Sequence, residues 1–454
     1  MILLQNCSFI ASLDNNVNYN NSDILIDKNK IVQIGKNLIK EIKSKDELKN
    51  IDCSNCIVIP GLINTHHHFF QTLTRNLKAV QNAKLFEWLV YLYEIWKNID
   101  EEAVYYSSLV AIGELLKTGC TLSTDHHYLY PQSFKGDLMG IQFDAAKKLG
   151  MRFSPTRGSM SLSKKNGGLP PDSVVQTEDE ILKDSLRVIE KYHDSSHDSM
   201  QKIVLAPCSP FSVTKENMKE TAKLARNYGV RIHTHLAETK DEEEFCIEQF
   251  GKNPLALMEE VDFVGEDVFF AHGIFFNDDE LKVLRETNTS VVHCPSSNMR
   301  LGSGIARVRE MIDIGVNVSI GVDGSASNDT SDMLGELRNA LLLQRVKYGS
   351  NGLNVNEVFK LGIENGANVL NYKKLGKIKE GWLADLAVFN LNKLEYTGSL
   401  SDPLAALLFS GISHQTEYTI VNGKVVVEKG KLIGEDEDLI IKKGNEIANN
   451  LLTK

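Results

Sequence analysis

Five side chains of this 454-residue sequence have the types and positions that a metal site requires. His66 and His68 are separated by one residue, so both side chains point to the same side of an extended strand. Three further donors each stand at the end of an apolar run: His235, His272 and Asp323. A lone histidine in such a run is usually a core residue, whereas five donors in equivalent positions indicate a shared site. Imidazole and carboxylate ligands without thiolate suit zinc, with iron or manganese as alternatives.

Apolar runs that alternate with helical patterns between residues 56 and 329 would carry these donors. The eight runs are CIVIPGLINTHHH, GCTLSTDHH, MRFSPTRGSM, KIVLAPCSP, RIHTHLAE, VFFAHGIFF, SVVHCPSSN and NVSIGVDGSASND. Helix starts lie between them, as at Thr177 with Glu180 and at Asn277 with Glu280. The alternation predicts an α/β protein with a (β/α)8 TIM-like barrel over residues 58–374. Barrel active sites are built at the carboxyl ends of the strands, where the five donors are predicted to meet.

The two ends of the chain have a different pattern, that of short β segments. They include ILLQNCSFI and DILIDKNKIVQIG before the barrel, and ADLAVFNL and TIVNGKVVVEKGKLI after it. Asn422-Gly423 in the last of these is a strong signal for a two-residue hairpin. We therefore predict a small β-sandwich domain built from residues 1–57 and 375–454.

Composition and charge limit the kinds of partner. Lys+Arg 50 and Asp+Glu 60 give a net charge of −10, which argues against binding to nucleic acid or to an anionic membrane. No apolar run reaches the roughly 18 residues of a membrane span, and the first residues lack a signal-peptide pattern. Seven scattered cysteines are typical of reduced thiols. We expect a cytoplasmic protein whose partner is a small molecule.

Several other features have simpler interpretations. Three histidines are predicted to be ordinary core residues: His126, His127 and His293. The acidic run 241–244 is interpreted as a solvated helix start, favoured by the helix dipole. The long connections 69–100 and 157–179 are predicted to be lids or binding loops.

Strings around the donors resemble the amidohydrolase superfamily, in its cytosine deaminase-like branch. They are PGLINTHHH, the HxxE of His235 and Glu238, the isolated histidine of FFAHG, and GVDGSASND. Longer strings such as NTHHHFFQTLTR, RGSMSLSKKNGGLPPDSVV and HCPSSNMRL are most similar to the 8-oxoguanine deaminases of that branch. The resemblance covers nearly the whole chain, including the terminal β segments.

The resemblance implies a role for each donor. The ligands of one divalent metal, with zinc as the first choice, would be His66, His68, His235 and Asp323. His272 would hydrogen-bond the attacking water or the departing group. Glu238 would shuttle protons to the ring and the amine, and Asp323 would accept the other proton. Members with two metals carry a bridging lysine or acidic residue after the fourth strand, where this chain has Ala-Pro-Cys-Ser-Pro at 206–210, so a single metal is implied.

Four residues are candidates for contacts with the substrate: Gln71, Cys208, Ser209 and Trp96. Gln71 follows His68 by three residues, an arrangement that resembles the guanine deaminases, in which the glutamine amide pairs with an edge of the purine. Cys208 and Ser209 follow the fourth strand, where those enzymes have an arginine, and this departure leaves room for an oxidised purine. The expected reaction converts 8-oxoguanine and water to urate and ammonia.

Two alternative functions stay open. One is an aminohydrolase acting on a pterin, triazine, guanine or cytosine ring, because substrate identity depends on loops and not on the metal ligands. The other is a non-catalytic binding protein with the amidohydrolase fold. The resemblance also implies a homo-oligomer, most simply a dimer.

Overall fold

The computed structural model describes residues 1–15, 17–42 and 48–453, and the strands of these residues form three sheets. In chain order the strands are β1 (Ile2–Asp14), β2 (Val17–Asp27), β3 (Lys30–Gly35), β4 (Lys49–Asp52), β5 (Cys56–Pro60), β6 (Leu62–Asn64), β7 (Cys120–Ser123), β8 (His126–His127), β9 (Arg152–Phe153), β10 (Thr156–Ser159), β11 (Val204–Pro207), β12 (Arg231–Leu236), β13 (Val268–His272), β14 (Ser290–His293), β15 (Val318–Ile320), β16 (Leu386–Asn390), β17 (Tyr418–Val421), β18 (Lys424–Glu428) and β19 (Lys431–Leu432).

Helices occupy most of the chain between the parallel strands. In chain order they are α1 (Leu85–Trp96), α2 (Glu101–Lys117), α3 (Leu138–Leu149), α4 (Glu178–Tyr192), α5 (Lys215–Tyr228), α6 (Lys240–Phe250), α7 (Pro254–Glu260), α8 (Asp278–Thr287), α9 (Pro295–Arg300), α10 (Val308–Asp313), α11 (Ser325–Asn328), α12 (Met333–Tyr348), α13 (Val355–Lys360), α14 (Gly366–Val369), α15 (Pro403–Phe409) and α16 (Glu437–Thr453). Short 3-10 turns lie at Leu38–Lys40, Phe69–Thr74, Lys78–Val80, Lys164–Asn166, Asp172–Val174 and Leu394–Tyr396, and a π turn lies at Leu361–Asn365.

Both ends of the chain contribute to the largest sheet, which has nine strands. Its order is β19-β18-β17-β16-β5-β1-β2-β3, with β4 paired to β1. β17 and β18 form the predicted hairpin, and the positive φ values of Asn422 (51°) and Gly423 (74°) suit its two-residue turn. Leu4, Ile26 and Val388 belong to one buried apolar cluster of this sheet. The two terminal segments thus share a sheet and a core.

Parallel strands between residues 62 and 320 form the other two sheets. One has seven strands in the order β15-β14-β13-β12-β11-β10-β8, and the other has three in the order β6-β7-β9. The second and third predicted strands are each interrupted, as β7 with β8 and as β9 with β10. The predicted capping boxes are present at Thr177–Glu180 and Asn277–Glu280, where α4 and α8 begin. The structure therefore has the strand–helix alternation that the sequence predicts, in an α/β architecture with parallel sheets.

The seven-stranded sheet curls until both of its edges reach the segment that follows β6. On one side, the His126 N–H at β8 donates to the His67 carbonyl at 2.6 Å. On the other, the Thr65 N–H donates to the Ile320 carbonyl of β15 at 3.2 Å. The carboxyl ends of the parallel strands therefore face a common centre.

Two further observations bear on the setting of the protein. Among the helices described, none combines the length and the apolar character that crossing a membrane requires. All seven cysteines are buried, and none of them forms a disulfide.

Candidate active site

Imidazole and carboxylate groups meet at the carboxyl ends of the parallel strands. His66 and His68 follow β6, His235 lies near the end of β12, His272 ends β13, and Asp323 follows β15. All five side chains are buried. The structure thus brings together the five donors that the sequence analysis singled out.

The Nε2 atom of His66 carries a free lone pair, because hydrogen bonds behind the ring fix its tautomer. His233 Nδ1 lies 2.7 Å from the Phe269 carbonyl oxygen and must donate to it, which leaves His233 Nε2 as an acceptor. His66 Nδ1, 2.8 Å from that atom, therefore carries the proton. His66 Nε2 is buried and has no hydrogen-bond partner. Such a chain orients a metal-binding imidazole.

His68 and His235 face each other through the same kind of atom. Their Nδ1 atoms donate to the carbonyls of His126 at 2.7 Å and Cys208 at 2.6 Å, so both Nε2 atoms bear lone pairs. These two Nε2 atoms are 3.2 Å apart, a repulsive arrangement unless a cation lies between them. Asp323 Oδ1 completes the group, 3.4 Å from His66 Nε2 and 3.3 Å from His68 Nε2.

These separations fit a bound metal ion. A tetrahedral ion with bonds of about 2.0–2.1 Å places its ligand atoms about 3.3 Å apart. Burial lowers the pKa of His66 to about 4 and holds that of His235 well below its usual range, so both rings are in the neutral, metal-binding form. The donor set therefore fits a divalent ion that accepts nitrogen and oxygen ligands.

His126 packs directly against this group. Its ring stacks on that of His235, with centroids 4.7 Å apart, and its nitrogen atoms also lie close to those of His66. Its Nε2 lies 3.2 Å from the Ala206 carbonyl, so the ring has a main-chain partner. His127 and His293 are buried as well. The contact of His126 with the predicted ligands could not be inferred from its position in the sequence.

Glu238 and His272 lie beside the metal ligands. His272 Nδ1 donates to Asn298 Oδ1 at 2.9 Å, so its Nε2 faces the site. That Nε2 is 3.6 Å from Glu238 Oε2 and 3.9 Å from Asp323 Oδ2. Burial, with a further contribution from the charge of Asp323, raises the pKa of Glu238 to about 8. A carboxyl that holds its proton near neutral pH is suited to general acid catalysis.

Three non-glycine residues at this site have left-handed backbone conformations. The φ values are 54° at Ala237, 74° at His272 and 65° at Asp323. Each residue ends or closely follows a parallel strand, at the point where the chain turns over the carboxyl edge. Such conformations cost energy and are concentrated at functional sites. They aim Glu238 and the two donors at the common centre.

A small cavity opens beside the donors. Its volume is about 30 Å³. It is lined by His68, Gln71, Leu85, Trp88, Leu89, Tyr93, Tyr128, Cys208, Phe211, His235, Glu238, His272, Leu301, Asp323 and Ser327. A larger cleft of about 720 Å³ lies between residues 130–139 and α4, and it contains none of the donors. The small cavity therefore touches the donors, whereas the larger cleft does not.

The four predicted substrate contacts have different outcomes. Gln71 and Cys208 line the cavity, whereas Ser209 and Trp96 do not. Ser209 Oγ lies 2.7 Å from Ser212 Oγ, and Trp96 donates its indole N–H to Thr74 Oγ1 at 3.1 Å. Trp96 lies behind the lining, with its ring against those of Phe70 and Trp88. Both polar groups are thus used inside the protein.

Other residues of the lining were missed by the sequence analysis. Trp88 and Tyr93 of α1 reach the cavity, although aromatic residues at helical spacing indicate core positions from sequence alone. Of the two predicted binding loops, 69–100 supplies Gln71 and α1. None of residues 157–179 lines the cavity; the Leu169 N–H of that loop donates to the carbonyl of Phe211, which does.

Unpartnered polar atoms mark two sides of the cavity. Gln71 Oε1 and Tyr93 Oη are buried without a hydrogen-bond partner. Burial raises the pKa of Cys208 to about 12, so its side chain is a neutral thiol with an S–H donor. The cavity therefore offers both an acceptor and donors to a polar ring.

The end of β11 carries no lysine or acidic residue. Cys208 and Ser209 follow the strand, and Lys202 precedes it at the opposite end of the sheet. Lys202 Nζ donates to the Asn371 carbonyl at 2.5 Å and lies over the ring of Tyr372.

The fold and the site define a class of protein that the sequence comparison also finds. Residues 57–426 match the amidohydrolase family. The chain therefore belongs to the amidohydrolase family, and it is a hydrolase that acts on carbon–nitrogen bonds. The family resemblance predicted from the sequence strings is confirmed.

Individual relatives are similar over most of their length. An 8-oxoguanine deaminase from Pseudomonas aeruginosa is 43% identical over 401 residues, 88% of this chain and 89% of the relative. A hydroxydechloroatrazine ethylaminohydrolase from Pseudomonas sp. strain ADP is 36% identical over 428 residues, which are 92% of this chain and 89% of the relative. The crystal structure of an atrazine chlorohydrolase from Arthrobacter aurescens complexed with zinc has a TM-score of 0.93 at 28% identity, covering 99% of this chain and all (100%) of that one.

Proposed function

We propose that the protein is a zinc-dependent deaminase that converts 8-oxoguanine and water to urate and ammonia. The observation that carries the proposal is the convergence of three bare imidazole nitrogens and the Asp323 carboxylate beside the protonated carboxyl of Glu238. The similarity to an 8-oxoguanine deaminase at 43% identity supports the choice of substrate, and the zinc-complexed neighbour supports the choice of metal.

The proposed reaction replaces a ring C–NH2 bond by a C=O bond. His66, His68, His235 and Asp323 would hold one divalent ion. When bound, the ion supplies a hydroxide nucleophile near neutral pH, because metals can lower the pKa of water from 15.7 to about 7. Glu238, protonated at the start, gives its proton to the ring nitrogen as the ring loses aromaticity.

Glu238 then takes up the proton that Asp323 removes from the attacking oxygen and delivers it to the amine, which leaves as ammonia. The proton that the water loses on becoming hydroxide restores the protonated form of Glu238. Asp323, with Oδ2 on the side of His272, accepts the remaining proton of the water. His272 Nε2 faces Glu238 and holds the attacking oxygen or the departing amine by a hydrogen bond. The overall balance is one water consumed and one ammonia released for each ring.

Recognition of the ring is assigned to three groups that line the cavity. The Gln71 amide would pair with an edge of the purine. The Cys208 S–H and the Tyr93 hydroxyl would hydrogen-bond its oxygen atoms, because both are buried polar groups on the cavity wall. Trp88 offers an aromatic face in the same wall. Ser209 and Trp96 are not included, since their polar groups are already bonded.

Substrate entry requires the cavity to widen. The cavity volume of about 30 Å³ is enough for only a few water molecules and is too small for a purine ring. Leu85, Trp88, Leu89 and Tyr93 all belong to α1, so a shift of this helix would open the cavity. We propose that α1 is the lid of the site, in line with the role expected for the 69–100 connection.

The remaining expectations complete the proposal. The two parallel sheets would be arcs of one (β/α)8 barrel over residues 58–374. The nine-stranded sheet would fold over its own apolar cluster as a β-sandwich of residues 1–57 and 375–454. Seven buried free thiols support a cytoplasmic location. A dimer and the absence of nucleic-acid or membrane partners stay predictions.

A panel of substrates tests the proposal. Purified enzyme would be given 8-oxoguanine, guanine, isoxanthopterin, cytosine and S-adenosylhomocysteine, with ultraviolet absorbance and ammonia release as readouts. The highest kcat/KM is expected for 8-oxoguanine. A higher value for another ring would assign the enzyme to that aminohydrolase class, and no ammonia from any ring would favour a binding protein.

A further inference from the structure

A buried carboxylate outside the cavity holds the backbone of Glu238. Glu242, in the first turn of α6, is fully buried. Its Oε1 accepts the Ala237 N–H at 3.0 Å, and its Oε2 accepts the Glu238 N–H at 2.9 Å. One side chain thus binds two consecutive amides with its two oxygen atoms. The sequence predicts a solvated helix start for residues 241–244, and for Glu242 this prediction is wrong because its side chain is buried.

The amides need this partner because of the local backbone. Ala237 has a φ of 54°, which turns the chain sharply after β12 and directs two successive N–H groups to one side. Buried amides without an acceptor would destabilise the fold, because they lose their hydrogen bonds to water and gain none in return. The Ala237 carbonyl is held from the other side, where it accepts the Ile274 N–H at 2.8 Å. The turn that presents Glu238 is therefore clamped between α6 and the segment after β13.

A capping residue fixes the first turn of α6, which carries Glu242, in the orientation that its bonds to Ala237 and Glu238 require. Thr239 caps the helix by accepting the Glu242 N–H at 3.3 Å. The cap follows Glu238 by one residue, so short-range hydrogen bonds link the segment from Ala237 to Glu242. Helix geometry then places Glu242 inward while Glu244 is exposed.

We propose that Glu242 is a positioning residue for Glu238. By holding the amides of Ala237 and Glu238, it keeps the Glu238 carboxyl at the reaction centre, where Oε2 lies 3.6 Å from His272 Nε2. The inference rests on the proposed role of Glu238 as proton shuttle. Glu242 touches neither the cavity nor the donors, so its effect would pass through the geometry of Glu238 alone.

The test compares Glu242→Gln with Glu243→Gln. Both changes remove one carboxylate from the same helical turn, but only the first places an amide NH2 against a backbone N–H. For Glu242→Gln we expect kcat to fall by about 10- to 10²-fold, since small misplacements of a catalytic group cost that much. KM and metal content should stay unchanged, and hydrogen exchange at the amides of residues 237 and 238, measured by mass spectrometry, should increase. Glu243→Gln should leave all four quantities as in the wild type.

Two results would overturn the inference. One is faster exchange at these amides with a normal kcat, which would mean that the clamp does not govern Glu238. The other is a parallel loss of kcat and metal, which would make Glu242 a structural support of the metal site. Failure of the proposed function is distinguishable, because then Glu238→Gln itself would retain the wild-type kcat or the wild type would deaminate no ring. Glu242→Ala removes both acceptors and should raise the exchange at these amides as well; if this variant does not fold, the exchange and kcat data for Glu242→Gln still decide.

Discussion

Gly324 leaves the space that the Gln71 side chain occupies. A Cβ atom at position 324 would lie 1.9 Å from Gln71 Oε1 and 2.3 Å from Cδ. The backbone of Gly324 has a φ of −70°, which any residue can adopt, so only this contact excludes a side chain. Because Gly324 directly follows Asp323, one turn of chain both presents a metal ligand and makes room for the amide assigned to the substrate.

Gly324→Ala should therefore affect substrate selection rather than metal binding. The added methyl group forces Gln71 out of its place, so kcat/KM for 8-oxoguanine should fall about tenfold or more while the metal content is kept. Gln71→Ala should give a similar loss, and the double variant should lose little beyond either single one. Gly444→Ala is the control, because its Cβ would meet only Val110 at an ordinary 3.5 Å. If the losses of kcat/KM from Gly324→Ala and Gln71→Ala were additive in the double variant, the proposed dependence of Gln71 on Gly324 would be contradicted.

Glu238→Gln should nearly abolish turnover. Glutamine keeps the shape of the side chain but cannot carry a proton, so kcat should drop by about 10²- to 10⁴-fold. The metal content should be that of the wild type, since the metal ligands are unchanged. Steady-state kinetics and elemental analysis of the same preparation check both points. Near-normal turnover would show that another residue moves the proton.

The same variant should stabilise the metal-free protein in a pH-dependent way. Burial raises the pKa of the Glu238 carboxyl from its usual 4.5 to about 8 in the folded protein. The folded state therefore binds more protons between these values, and the free energy of unfolding of the wild type falls as pH rises through this window. Glutamine has no such titration. Its stability advantage should grow by roughly 2–4 kcal/mol from pH 5 to pH 8 and be constant above that.

Thermal or urea unfolding of chelator-treated protein measures this difference. Comparison at pH 5 and pH 8 cancels most effects of the other titrating groups, which are common to both proteins. A constant difference between the variant and the wild type at the two pH values would contradict the raised pKa of Glu238.

Cys208→Ala should reduce the preference for 8-oxoguanine over guanine. The two rings differ by the C8 oxygen and the N7 hydrogen, and a site with a partner for such a group can reject the analogue without it by as much as about 10⁴- to 10⁵-fold. Loss of the S–H donor should lower kcat/KM for 8-oxoguanine and leave the low value for guanine almost unchanged. Tyr93→Phe tests the neighbouring hydroxyl in the same way. Comparable kcat/KM for the two rings in the wild type would remove the basis of the substrate proposal.

The donors could be predicted from the sequence because strand geometry repeats along the chain. Alternation places His66 and His68 on one side of an extended segment, and the ends of apolar runs mark His235, His272 and Asp323. The alternation of strands and helices was equally visible. Each of these features depends on residues that are close together in the sequence, so local sequence patterns are enough to predict them.

Contacts between distant segments could not be read in the same way. The burial of Glu242 depends on amides made available by a left-handed Ala237, and nothing in an acidic run reveals it. The sequence singles out Trp96 among the aromatic residues of α1, although Trp88 and Tyr93 line the cavity, because helical spacing alone does not show which aromatic residue faces the carboxyl ends of the parallel strands. The position of His126 against His235 likewise follows from the pairing of strands, not from its own surroundings in sequence.

Titration of metal-free enzyme with zinc tests the central claim most directly. Chelator-treated protein would receive increasing amounts of Zn²⁺ while the conversion of 8-oxoguanine to urate and ammonia is followed. If one ion held by His66, His68, His235 and Asp323 is sufficient, activity should rise linearly and reach its plateau at about one equivalent per chain. Activity that needs two equivalents, or that is the same without metal, would contradict the account.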